Sequence, residues 1–164
     1  MNFTNWLENT AIAIAVNEGI STYPTVIALH SVGLGLLIGA LFIINIRVLG
    51  GFQRLPFAAL EKLMLIAAFG FIVNALSGVF LYVAQATTFT FESPLFLVKI
   101  AFVFIGAIIA LIFRTKYLDD VSGWEASGVA VAGAKKLAFV SLLVWSGAII
   151  AGRLMAYIPG EGGF

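Results

Sequence analysis

Two stretches of this chain, Gly19 to Ile46 and Leu63 to Phe91, contain no Asp, Glu, Lys or Arg. Each is longer than the ~20 predominantly apolar residues that carry a helix across the hydrocarbon core of a bilayer. A helix apolar on all sides has no face to show to water, so these stretches belong inside a membrane or a large core. A chain of 164 residues is too short to build a core around both. Its composition agrees: 62% of residues are hydrophobic and 10% charged, against roughly 45–50% and about 25% in soluble domains. The sequence is that of an integral membrane protein.

Two more spans follow. Pro94 to Phe113 opens well, with Ser93 as a cap and Pro94 at the first helical position. Leu137 to Ile158 ends at Pro159. The expected fold is all-α: a single domain over 1–164, folded as an antiparallel four-helix bundle with spans over about 22–47, 60–87, 94–116 and 136–158. Ahead of it, Phe3, Leu7 and Ile14 recur near helical spacing beside Trp6. This reads as an interfacial helix over about 3–16 anchored by Trp6 and Phe3, with a disordered leader as the alternative.

Basic residues cluster in alternate connections. Arg47, Arg54 and Lys62 flank the first loop, and Arg114, Lys116, Lys135 and Lys136 flank the third. The second loop and the termini carry mainly Glu8, Glu18, Glu92 and Glu161. The positive-inside rule then places loops one and three in the cytoplasm and both the N- and C-termini outside.

Several function classes drop out. A net charge of +1 supplies no field for nucleic acid, and the lack of cysteine excludes disulfides and thiolate metal sites. There is no phosphate-binding glycine loop and no hydrolase serine motif. A proton relay wants an intramembrane carboxylate, and Glu61 sits only at a span border.

What remains is a small set of polar groups inside the spans. His30 is the only histidine and lies about 12 Å along the first span; Lys99 and Arg153 each lie roughly 7 Å from the same side of the membrane. All three therefore share its outer half. Ionisable residues at such depth are expensive and mark function by default. For His30 the bland reading is an imidazole bonded to a carbonyl of the preceding turn, or to Asn or Ser on a neighbouring helix. The sharper one is a haem ligand, since a neutral imidazole is a standard axial ligand. Gly33, one turn on, would leave room for a flat macrocycle. Lys99 and Arg153 either snorkel to lipid phosphate or meet an anion such as a haem propionate, or a quinone carbonyl. A transmembrane bis-histidine haem needs two histidines and this chain has one. Met155 is the candidate sixth ligand, the alternatives being a five-coordinate iron or a haem shared across a dimer.

The segments "LHSVGLGLLIGALFIINIRVLGG", "SPLFLVKIAF" and "SLLVWSGAIIAGRLMAYI" resemble an uncharacterised family of small bacterial four-span membrane proteins. The matching positions are His30, Arg47, Phe96, Lys99, Trp145, Gly152, Arg153 and Tyr157, over roughly residues 22 to 158. More distantly the chain is similar to the CopD and HemJ group. HemJ is a membrane protoporphyrinogen oxidase held to bind haem b, with a first-span histidine and a third-span lysine. Where its histidine span carries a proline-arginine pair, this chain has Asn45-Ile46-Arg47. The resemblance implies a bacterial inner (cytoplasmic) membrane protein with a tetrapyrrole site on His30 and Lys99.

The expected cofactor-binding residues are therefore His30, Gly33, Lys99, Arg153 and Tyr157, with His30 and Met155 as metal ligands and haem b as cofactor. The expected function is electron transfer or tetrapyrrole redox chemistry. The alternatives are an accessory membrane subunit or CopD-like copper transport component, and a quinone-binding redox partner. Expected partners are the lipid bilayer, a quinone or redox protein, and a second copy of the chain, with no nucleic acid. The second copy is suggested by two small-residue stripes, Ser31/Gly35/Gly39 and Gly70/Asn74/Gly78, either of which suits close helix approach in lipid.

Overall fold

A computed structural model describes residues 2–118, 121–155 and 157, and these are all-helical with no strand among them. Two short helices, α1 (Phe3–Glu8) and α2 (Ala11–Glu18), precede α3 (Thr22–Leu49) and α4 (Ala59–Ala84). Then come α5 (Pro94–Phe113), the short α6 (Ser122–Ser127) and α7 (Ala132–Leu154). A π-helical turn, Thr88–Glu92, leads into α5, and another, Arg114–Leu118, extends it. Four helices are long and apolar enough to cross a membrane: Thr22–Leu49, Ala59–Ala84, Pro94–Leu118 and Ala132–Leu154. They match the expected spans closely. The fourth starts one turn early, taking Lys135 and Lys136 into its first turns, and its expected last residue, Ile158, lies outside the described residues.

Local signals set the ends. Ser93 Oγ accepts from the Phe96 N–H at 3.3 Å to open α5, as its place before Pro94 suggests. Gly50 closes α3 in the left-handed region (φ +107°). Its N–H and that of Gly51 return to the carbonyls of Arg47 and Ile46, a glycine C-cap. The N-terminal segment differs from the single helix expected over 3–16. It breaks at Asn9–Thr10, where Thr10 Oγ1 accepts from the Ala13 N–H at 3.3 Å and restarts the chain as α2. The pair straps the end of α4: Glu8 Oε1 accepts from the Thr87 N–H at 2.7 Å, and Asn17 Nδ2 donates to the Ala84 carbonyl at 3.0 Å. Phe3 and Trp6 stack on each other and stay exposed.

The helices pack in the spatial order α4, α3, α7, α5. α3 lies along α4, α5 along α7, and the two pairs join where α3 meets α7. The α3–α4 seam is close enough to require glycine on both sides. A Cβ on Gly33 would stand 2.6 Å from Asn74 N, and one on Gly70 would stand 2.5 Å from Leu37 N. Across the other seam, Asn45 Nδ2 donates to Ser141 Oγ at 3.0 Å, both residues buried. The apolar core, built on Leu41, Ile44, Val48, Phe57, Leu60 and Trp145, fills the half of the bundle nearer the basic loops. The outward faces carry exposed large apolar residues such as Phe69, Leu76, Phe104 and Leu111, the surface a bilayer would cover.

Candidate functional site

His30 projects from α3 into the α3–α4 seam, one turn before Gly33. Its Nδ1 lies 3.0 Å from the Asn74 carbonyl oxygen and 3.1 Å from Ser77 Oγ. A carbonyl only accepts, so Nδ1 carries the proton and, in the neutral ring, Nε2 holds the lone pair. Ser77 spends its own proton within α4, on the carbonyls of Val73 (2.7 Å) and Asn74 (3.1 Å), which leaves its oxygen free to accept from the imidazole. Asn74 returns the contact, Nδ2 donating to the His30 carbonyl at 2.8 Å. Gly78 makes room for the ring: a Cβ there would stand 3.2 Å from His30 Cε1. The Gly70/Asn74/Gly78 stripe is thus both the α4 side of the seam and the seat of the histidine. Ser77 and Gly78 were not singled out for this role by sequence; a serine and a glycine on the face of a spanning helix that also holds Asn74 are the signal that was there.

Lys99 approaches from α5. Its stem lies over Gly152 of α7, where an added Cβ would stand 3.3 Å from Cδ and 3.4 Å from Cε. Among the described residues its ammonium has neither an ion-pair nor a hydrogen-bond partner. His30 and Lys99 thus stand on separate helices, the one clamped in the α3–α4 seam and the other laid against α7.

It places the other expected residues differently. Gly33 faces the backbone of Asn74, not open room. Arg153 is exposed and bonds through Nη2 to Tyr157 Oη at 2.8 Å, with the guanidinium 5.1 Å from that ring. Arg153, in the last turn of α7, thus pairs with a residue just past the helix end. Met155 is buried just past the last turn of α7. No group of three or more His, Asp or Glu side chains converges among the described residues.

Along α4 and α5 the polar pair sits between an aromatic clasp and an apolar cleft. Nearer the N-terminal helices, Tyr82 and Phe96 stack at 5.7 Å with planes 9° apart, and Tyr82 Oη meets Thr90 Oγ1 at 2.8 Å. Toward the basic end, a cleft of about 260 Å³ opens between α4 and α5, lined by Ala67 and Phe71 on one side, Ala107 and Ala110 on the other, and Leu37 beneath. Trp145 stands at its back, and its buried indole Nε1 has no hydrogen-bond partner among the described residues. No family model, curated protein or solved structure matches this chain.

Proposed function

We propose that the chain is a bacterial inner-membrane redox protein in which His30 and Lys99 hold haem b. The observation that carries this reading is the clamp on His30: Nδ1 is held by the Asn74 carbonyl and Ser77 Oγ, so the ring is oriented and its Nε2 lone pair is free. Histidines that ligate metals are usually fixed in this way through their other nitrogen. The donor set fits haem at two points. Nε2 is a ligand for iron, and the Lys99 ammonium, without a partner among the described residues, fits a propionate. Haem, when bound, supplies one-electron chemistry; the chain orients the ligand, neutralises a carboxylate and excludes water with Phe71 and Phe96. Met155 is the candidate second ligand. Gly33, Arg153 and Tyr157 have no part in this reading, because α4 fills the first position and the other two bond to each other.

The absorption spectrum of protein purified from membranes tests it. A Soret band that sharpens on reduction is expected, lost in His30→Ala while helical circular dichroism persists, and weakened less by Lys99→Ala. Full haem retention in His30→Ala refutes the assignment. A second reading, a quinone site, draws on the cleft: an apolar slot backed by the Trp145 Nε1 donor, which has no partner among the described residues, suits an isoprenoid quinone. A colourless preparation that carries extractable quinone moves the assignment there.

Two further features belong to the proposal. The basic loops lie in the cytoplasm with both termini outside, by the positive-inside rule. A second copy docks on the Gly35/Gly39 face, the stripe that stays open: a Cβ at either position meets nothing within 4 Å.

A further inference from the structure

Arg47 is the most enclosed cation of the described residues, 6% exposed in the last turn of α3. Its guanidinium lies 3.7 Å over the Phe57 ring, and its Nε donates to the Leu55 carbonyl. Among the described residues its two terminal nitrogens have no partner, although a guanidinium presents them as a fork of donors. Removing a charge this far from water without an anion is costly. Glu125 accepts the Phe57 N–H on Oε2 at 2.8 Å and forms no ion pair with Arg47 among the described residues.

Beside the guanidinium lies a cavity of about 360 Å³ at the basic end of the bundle. Lys135 lines it from the start of α7, and among the described residues no acidic side chain does. The walls are completed by the two glycine corners, Gly50 (φ +107°) and Gly128 (φ +68°). A Cβ at either corner would meet nothing within 4 Å, so a ligand can approach bare backbone there. Ala130, just before α7, also faces the cavity, and the N-cap of α7, Val131, supplies no side-chain cap. The first N–H groups of a 23-residue helix therefore lack a side-chain acceptor next to a doubly cationic cavity.

We propose that this cavity is a binding site for a phosphate group, gripped by the Arg47 fork and Lys135 with the start of α7 as a third donor. Arginine forks, lysine point charges and helix N-termini are the three protein groups that suit phosphate oxygens best. The volume exceeds what a bare phosphate fills, leaving room for an attached organic group. The phosphate is either that of a phospholipid at the membrane surface or that of a soluble compound. The site is separate from His30 and Lys99, and the proposal does not depend on the redox reading.

The test uses the full chain, stripped of lipid in a neutral detergent. Its unfolding midpoint is titrated with inorganic phosphate in one arm and with phosphatidylglycerol in mixed micelles in the other, each against chloride at matched ionic strength. A saturable rise in either arm is expected. A rise with phosphate alone assigns a soluble ligand; a rise with the lipid alone assigns a headgroup. Lys135→Met should weaken the effective probe about tenfold, the scale of one lost charge-assisted hydrogen bond. Lys136→Met, one residue on at an exposed position, should leave affinity unchanged. Arg47→Lys keeps the charge, loses the fork and should weaken binding at least as much; if it fails to fold, the Lys135/Lys136 comparison decides. Neither probe exceeding chloride, or the two lysine variants behaving alike, overturns the proposal.

Discussion

Replacing Gly33 with alanine should damage the seam and the histidine clamp together. The added Cβ would stand 2.6 Å from Asn74 N and 3.0 Å from both Asn74 Cα and Gly70 O. All three are backbone atoms, so no side chain can swing aside. Restoring an ordinary contact of about 3.5 Å means parting α3 and α4 locally by roughly 1 Å. Overpacking of this kind costs about 1–3 kcal/mol. The same displacement, one turn away, would stretch the 3.0 Å and 3.1 Å contacts of His30 Nδ1 beyond hydrogen-bonding reach. Gly35→Ala is the matched control: its Cβ enters open space, and it should gain a few tenths of a kcal/mol from helix propensity. Stability is read from denaturation in mixed micelles. The clamp is read from the ¹⁵N shifts of the imidazole, which give one unambiguous ring because the chain has one histidine. With any bound cofactor removed, the wild type should show a protonated Nδ1 and a bare Nε2; Gly33→Ala should show mixed tautomers. Equal stability of the two alanine variants with identical ring shifts would refute the reasoning.

Asn45→Ala should destabilise the bundle by about 1 kcal/mol, with Ser141→Ala adding little on top, because both remove the same 3.0 Å bond between α3 and α7; additive losses measured by the same denaturation would show that the two act separately. Met155→Leu conserves volume while removing the sulfur, so a changed spectrum of the reduced protein supports a histidine–methionine haem and an unchanged one excludes it. Cysteines at Gly123 and Gly163 should label from the inside and the outside of intact cells respectively; the reverse pattern inverts the topology. Gly35→Ile should lower the mass of the detergent-solubilised particle, measured by light scattering, if a second copy docks there, and an unchanged mass removes that interface.

The spans were legible because their ends are marked chemically: by charge around Arg47 and Arg114, by the Ser93–Pro94 start and by the Gly50 stop. The break at Asn9–Thr10 was also written in the sequence, as a capping threonine, but apolar spacing runs straight through it and periodicity alone joins the two helices. The candidate site was legible one residue at a time. His30 and Lys99 stand out because ionisable groups are costly in a membrane; that α4 clamps the one and α7 carries the stem of the other depends on how the helices pack, a tertiary fact with no local signature. Gly33 shows the limit. A missing side chain looks the same whether the room is for a cofactor or for another backbone. Nor does a four-residue repeat say which way it faces, so the inward stripe at Gly70 and the outward one at Gly35 read alike.

Between the Tyr82–Phe96 clasp and the π-helical turn at Arg114, α4 and α5 stand apart. In a bilayer that gap opens sideways onto acyl chains. A solute reaching the indole of Trp145 through it never has to leave the lipid, and its supply is a two-dimensional pool confined to one thin sheet. Occupancy would then follow the mole fraction of the solute in the membrane and not its concentration in the surrounding water. A solute scarcely soluble in water would be an abundant one here, and diluting the vesicles would leave the site as full as before, while diluting the solute with added lipid would empty it.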